Sequence, residues 1–405
     1  MDITFEDNKL KKCALDQNKC KKKMGGSIIT INKDKMETHQ KFKAVYAFHP
    51  GITLREKLNE MEMSVKEFAL RTTKPEKTIN AVLSGESAVT PDMSIAFEQI
   101  TQIPAHFWLN LQRNYDEYVA RQKREAICKD EATIAWAKKF PYGEMAKLHW
   151  VPATRNLAER IVNLFSFFKV NSVAAWEDYF INQKLKSAFR ISLSSTKDPY
   201  SMSAWLRQGE ILAEKMKLET TFSENALKDS IPQFRQLVME QPDDFTTQLS
   251  KICASVGIKV IYMNHITHTP VNGCTRWIGD VPCVQMTDKQ KRNDVFWFSF
   301  FHELGHIVLH GKKDLFIENE EHRELEKEKE SEADKFASEN LLCVKAENEI
   351  IQAMNGKLPS TQFILDKAKQ YQTHPAIIVG RLQHRQIIPQ NSLLNNLKVT
   401  VELPN

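Results

Sequence analysis

The chain has 405 residues, 42% of them hydrophobic and 26% charged, enough for two or three domains with separate cores. Its longest apolar stretch, Val295 to Phe301, contains Ser299 and falls far short of the roughly 20 residues that a bilayer core requires. The formal net charge of +5 is small for this length, so any nucleic-acid reading has to rest on a local motif. The amino terminus carries lysines with no apolar segment or small-residue cleavage site after them, so no secretory signal is expected and a cytoplasmic protein is. The seven cysteines are scattered and show no C-x-x-C spacing, as expected of reduced, structural thiols.

Residues 1–40 are lysine-rich around Gly25 and Gly26 and show no sustained period, which predicts a flexible basic extension. Over residues 41–125 the pattern becomes helical and compact. Leu54 and Leu58, then Val65, Phe68 and Ala69, then Ile79, Val82 and Leu83, then Phe97 and Ile100, mark short amphipathic pieces of a small all-α domain. Ser64 followed by Glu67 is a capping box that opens a helix ending near Arg71. Thr72 to Lys74 form a turn, and a second helix is entered at Pro75, with Lys77, Thr78 and Asn80 around core Ile79 and Val82. Such a pair is either a helix-turn-helix that sets its second helix in a major groove or a helical hairpin that docks a protein.

The segments His49-Pro50-Gly51, Leu54-Arg55-Glu56, Thr78-Ile79-Asn80, Leu83-Ser84-Gly85, Thr90-Pro91-Asp92-Met93 and Phe107-Trp108-Leu109-Asn110-Leu111-Gln112 occur in order. Together they resemble the Xre-type helix-turn-helix of HigA-like antitoxins over roughly 75 residues. The resemblance implies operator DNA binding, usually as a homodimer, and pairing with a toxin. DNA contacts are then expected from Arg71, Lys74, Lys77, Thr78 and Asn80. Two positions depart from the family: Thr73 stands where glycine is usual, and Pro75-Glu76 where a capping serine and a basic or amide residue are usual. Residues 51–124 hold ten Lys or Arg and ten Asp or Glu, so the module has no net charge to drive binding by counterion release.

Residues 126–240 continue helical, as in Leu157 to Phe168 and Ala204 to Met216, and read as a connecting region with no legible chemistry. From 241 to 405 the signal is mixed α+β. β-rich runs at Ile258 to Met263 and Pro282 to Met286 are separated by turns at Gly273 and Gly279. Helices are expected over Val295 to Leu309, near Glu330 to Leu342, and in the tail from Thr361 to Gln386. The fold class expected overall is mostly α with a small α+β part.

The apolar run Val295 to Leu309 contains His302-Glu303-Leu304-Gly305-His306. Histidines at i and i+4 lie on one helical face about 6 Å apart along the axis, which lets both imidazoles bind one tetrahedral Zn²⁺ while Glu303 faces its water. His310 lies eight residues beyond His302, about 12 Å along an unbroken helix and too far for the same ion; with Gly311 after it, it is expected to meet the last-turn carbonyls. A third ligand is sought in Glu330-Ser331-Glu332-Ala333-Asp334-Lys335-Phe336-Ala337. Ala333, Phe336 and Ala337 mark the buried stripe there, with Glu332 on its border, and residue chemistry leaves Glu330, Glu332 and Asp334 all open.

Phe301 to His306 with Leu309-His310, then Glu332-Ala333-Asp334-x-Phe336-Ala337 and Leu341-Leu342, resembles the ImmA/IrrE family of zinc metallopeptidases over roughly residues 240–390. The resemblance implies a zincin-like domain in which His302, His306 and Glu332 bind Zn²⁺ and Glu303 is the catalytic base. Cys343-Val344 departs from the Met-Pro common in that family. The combined reading is a zinc-dependent endopeptidase fused to a DNA-binding regulator module, acting on a specific protein such as a repressor or toxin-antitoxin partner. The alternative is an antitoxin or repressor whose peptidase-like domain only senses or scaffolds, and an intact Glu303 weighs against it.

Overall fold

In the computed structural model, residues 47–185, 198–269, 271–312 and 320–404 are described. The basic extension expected over residues 1–40 lies outside them. The chain divides into two compact units between Arg121 and Gln122.

The first unit is built from α1 (Pro50–Glu60), α2 (Val65–Arg71), α3 (Glu76–Leu83), α4 (Pro91–Thr101) and the start of α5 (Ala105–Ile127). Leu54, Phe68, Val82, Phe97 and Trp108 are fully buried at its centre. Ser64 caps α2 by accepting from the Glu67 amide at 3.2 Å, as its spacing predicts. Gly51 is required by close packing, because a Cβ there would lie 2.0 Å from the Val82 carbonyl oxygen.

The second unit begins with helices α6 (Glu131–Lys138), α7 (Tyr142–Lys147), α8 (Leu157–Phe168) and α9 (Val173–Trp176). There follow α10 (Pro199–Lys215), α11 (Glu224–Glu240) and α12 (Phe245–Ser255). A three-stranded sheet comes next, from β1 (Lys259–Met263), β2 (Gly273–Ile278) and β3 (Val281–Thr287). β3 is central, parallel to β1 and antiparallel to β2. Then come α13 (Asn293–Gly305), a π-helical turn His306–His310, α14 (Glu320–Leu341), α15 (Val344–Met354), α16 (Thr361–Gln370) and α17 (Pro375–His384).

Strand alternation sends side chains to two separate cores. Val260, Val284 and Met286 face one built from α11 to α17, with Trp297, Phe300 and Phe301 of α13 at its heart. Ile261, Met263, Cys274 and Cys283 face another, built from α6 to α10 around Trp136, Phe165 and Trp176. Residues 126–240 therefore wall one face of the sheet and add α11 to the other.

A buried ionic cluster bolts α10 to the edge strand β2. Glu210 takes Arg207 Nη1 at 2.8 Å and Arg276 Nη1 at 3.3 Å, all three side chains being under a tenth exposed. Arg276 also donates to the Leu206 carbonyl at 2.8 Å. On the other side the first turn of α13 is clasped by the C-terminal segment. Lys398 reaches Asp294 at 2.8 Å, and Asn293 exchanges backbone and side-chain bonds with Val399 at 3.0 and 3.1 Å. Removing one member of a buried charge cluster leaves the others uncompensated. Glu210→Ala is expected to lower the free energy of unfolding by about 3–5 kcal/mol in urea titration. A loss within about 0.5 kcal/mol, typical of a surface position, would contradict this account of the cluster.

Candidate metal centre and helix-turn-helix

The sheet and α14 together position α13. Thr275 of β2 donates its hydroxyl to the Glu303 carbonyl at 3.1 Å. On the opposite flank Gly305 lies against α14 so closely that a Cβ would sit 3.1 Å from the Ala333 Cα and 3.3 Å from Phe336. Ala333 and Ala337 are fully buried along this contact. Two backbones approach this way only where both residues are small.

The approach brings three donors to one point. His302 Nε2 and His306 Nε2 are 3.0 Å apart, and the Glu330 carboxylate lies 3.3 Å from each. A tetrahedral zinc with bonds near 2 Å holds its donors roughly 3.3 Å apart, so the set fits such an ion. Its electrostatics also demand positive charge there. Burial opposes a charged ring at His302, yet Asp334 and Glu330 outweigh it and push that imidazole up to about 10. Burial likewise opposes ionisation of Glu330, and the two imidazoles overcome it to hold that carboxyl well below its ordinary value. Among the described residues this is the grouping of His, Cys, Asp and Glu side chains close enough to share a metal.

Glu303 is buried beside the donors with its carboxylate against β2. Burial raises its carboxyl above the ordinary value, against the pull of His302 and His306. Room for it comes from Gly273, where a Cβ would meet Glu303 Cγ at 3.1 Å and Oε1 at 3.2 Å.

The expected third ligand, Glu332, is placed elsewhere. Its carboxylate meets His310 Nε2 at 3.0 Å, and Glu330 stands at the shared point instead. Helical phase is the reason. Glu330 precedes Ala333 by three residues and Ala337 by seven, which puts it on their buried face, whereas Glu332 is displaced about 100° from Ala333 and half exposed. Asp334 accepts from, or pairs with, His302 Nδ1 at 2.8 Å and so holds the ring from behind. His310 stays outside the donor set, as its spacing predicts, and its ring nitrogens meet His306 and Glu332.

In the first unit, α2 and α3 form the expected pair, joined by a turn in which Thr73 takes φ +52°, the left-handed conformation that glycine adopts freely. Lys77 and Asn80 of α3 are exposed and Thr78 is half-buried. Arg71 pairs with Glu67 at 2.6 Å and Lys74 with Asp92, so two of the five expected DNA contacts are engaged within the module.

These features set the frame for the known proteins that the chain is similar to. Residues 253–363 match Peptidase_M78, the IrrE N-terminal-like domain. Over 63 residues, 16% of this chain, the sequence is 35% identical to the uncharacterized HTH-type transcriptional regulator YddM of Escherichia coli (strain K12), of which 67% is covered. Two solved structures are similar as well. One is an addiction module antidote protein of the HigA family from Coxiella burnetii, with 30% identity, TM-score 0.20, and 21% of this chain and 92% of that one covered. The other is the Pseudomonas aeruginosa antitoxin HigA with the higBA promoter, with 29% identity, TM-score 0.19, and 19% and 86% covered. The chain belongs to the HTH-type transcriptional regulators through its N-terminal unit and carries an IrrE-like Peptidase_M78 domain towards its C-terminus. Among the described residues no helix is long and apolar enough to cross a membrane.

The tight contact at Gly305 makes a direct test. Gly305→Val has to push α14 and Glu330 away from the histidines, so zinc affinity should fall at least tenfold in a chelator competition and stability by about 1–3 kcal/mol. Unchanged affinity would show that the close approach does not set the donor geometry.

Proposed function

We propose that the chain is a zinc-dependent endopeptidase coupled to a DNA-binding regulator module, and that it cleaves one specific regulatory protein in the cytoplasm, such as a repressor or toxin-antitoxin partner. The observation that carries this reading is the convergence of His302, His306 and Glu330 beside a buried glutamate that is not among them. A purely structural zinc site closes its coordination with protein donors and has no use for Glu303. Zinc held by these three side chains would leave a position open, polarise a peptide carbonyl and acidify a water there.

The remaining chemistry falls to the chain's own residues. Glu303, raised by burial, takes a proton from the attacking water and returns it to the leaving amine. Asp334 keeps His302 oriented. β2 is an edge strand, so its outer rim can accept an extended peptide by strand addition next to Glu303. An extended segment is what a flexible loop of a target protein supplies.

Glu303→Gln should retain one zinc per chain and lose at least a hundredfold in cleavage of a co-expressed neighbouring repressor or toxin, scored by mass spectrometry. Full cleavage by that variant would remove Glu303 as the base, and a zinc-free wild type would remove the metal reading.

For the first unit, operator binding through α3 is the proposed role, with Lys77, Thr78 and Asn80 as the contacts left after Arg71 and Lys74 have paired locally. The engaged cations and the acidic Glu76 at the start of α3 favour a second reading, in which this face docks a protein. Lys77→Ala is expected to weaken a gel shift on the protein's own upstream DNA several-fold at modest salt. Absence of any shift with the wild-type protein would select the docking reading.

A further inference from the structure

Beside the donor set stand two side chains that the function above leaves unused. After Gly305 the helix widens into a π-turn, where the Gly311 amide bonds the His306 carbonyl at 3.2 Å. Such widenings occur frequently at functional sites. Here the ring of His310, only 4% exposed, comes to rest on His306, Nδ1 to Nδ1 at 3.1 Å. Its other nitrogen, Nε2, meets the Glu332 carboxylate at 3.0 Å.

With a cation at the point shared by His302, His306 and Glu330, so that His306 Nε2 need not donate to Glu330, the contacts of His310 have one consistent proton arrangement with neutral rings. An ionised carboxylate only accepts, so His310 Nε2 carries the hydrogen. The Nδ1 of His310 is then a bare acceptor, and His306 must donate to it from its own Nδ1. That leaves His306 Nε2 as a lone pair aimed at the point it shares with His302 and Glu330. We propose that His310 and Glu332 form a positioning relay that locks the tautomer and ring orientation of His306 for a divalent transition-metal ion. His302 receives the same service from Asp334 directly. For His306 the carboxylate of α14 reaches only through an interposed imidazole. Neither His310 nor Glu332 touches the ion or the substrate, and the relay rests on the zinc reading above.

The test uses the full chain and zinc itself. Affinity is measured by competition with a chromophoric chelator, and the ligand field by the visible spectrum of the cobalt(II)-loaded protein. His310→Ala and Glu332→Ala should each weaken zinc binding about 10- to 100-fold and shift the cobalt bands, with one metal still bound at saturation. His310→Asn, whose amide oxygen can accept from His306 Nδ1, should recover most of the loss; a role in packing alone would not be restored by this smaller side chain. Glu332 is half exposed, so its variant folds even where removal of His310 does not. Affinities within twofold of wild type and an unshifted cobalt spectrum for Glu332→Ala would overturn the relay. Loss of metal in His310→Ala as complete as in His302→Ala would also overturn it, by making His310 a ligand. Failure of the zinc reading itself is distinguishable, because the wild-type chain would then bind no zinc.

Discussion

Everything at the candidate metal centre depends on how closely α13 and α14 touch. Gly305 has no side chain to hold them apart, and the facing Ala333 adds a single methyl, so the two backbones meet almost directly. The histidines flank Gly305 on one helix, and the carboxylates precede and follow Ala333 on the other. Bringing the two small residues together therefore registers the two rows of side chains against each other. The glycine inside the H-E-L-G-H sequence is thus a geometric element of the site, although it carries no chemistry of its own.

The registration matches three imidazoles with three carboxylates. Glu330 meets the Nε2 atoms of His302 and His306, Asp334 backs His302, and Glu332 backs His310. Glu330, Glu332 and Asp334 each face a different set of imidazole nitrogens, and the set follows from the residue's angle on the helix. Glu332 and Asp334 are themselves more than half exposed, and the mostly buried groups are the imidazoles that they meet.

Much of this was legible in the sequence, and what was not has definite physical causes. The H-E-x-x-H spacing determines a shared helical face whatever the surroundings, and the Ser64 cap acts within four residues, so both could be read locally. The exclusion of His310 from the donor set was also legible, although its partners were not, since the π-turn adds a residue that no pattern announces. Extending the Ala333 and Ala337 stripe back one turn leads to Glu330; residue chemistry alone leaves it open beside Glu332 and Asp334, and it is the family resemblance that points to Glu332. β2 was passed over because Gly273, Thr275 and Arg276 make a weak strand in isolation and acquire their meaning only against β3, Glu303 and Glu210. The helices over residues 126–240 carry no local signature for the same reason. Their contribution is a wall and an ionic bolt, both of which exist only after long-range packing.

The two-sided sheet has a consequence for how small a self-standing version of this unit can be. The residues that match Peptidase_M78, 253–363, contain all the candidate chemistry but none of α6 to α10 and only part of the α11 to α17 side. Trimmed to that span, the chain would turn Ile261, Met263, Cys274 and Cys283 out to water and release the Lys398 clasp on the first turn of α13. A greasy strand face beside an unpaired edge is a recipe for self-association. The smallest autonomous unit that can be excised around the candidate metal centre therefore has to begin well before its recognisable motif and end well after it.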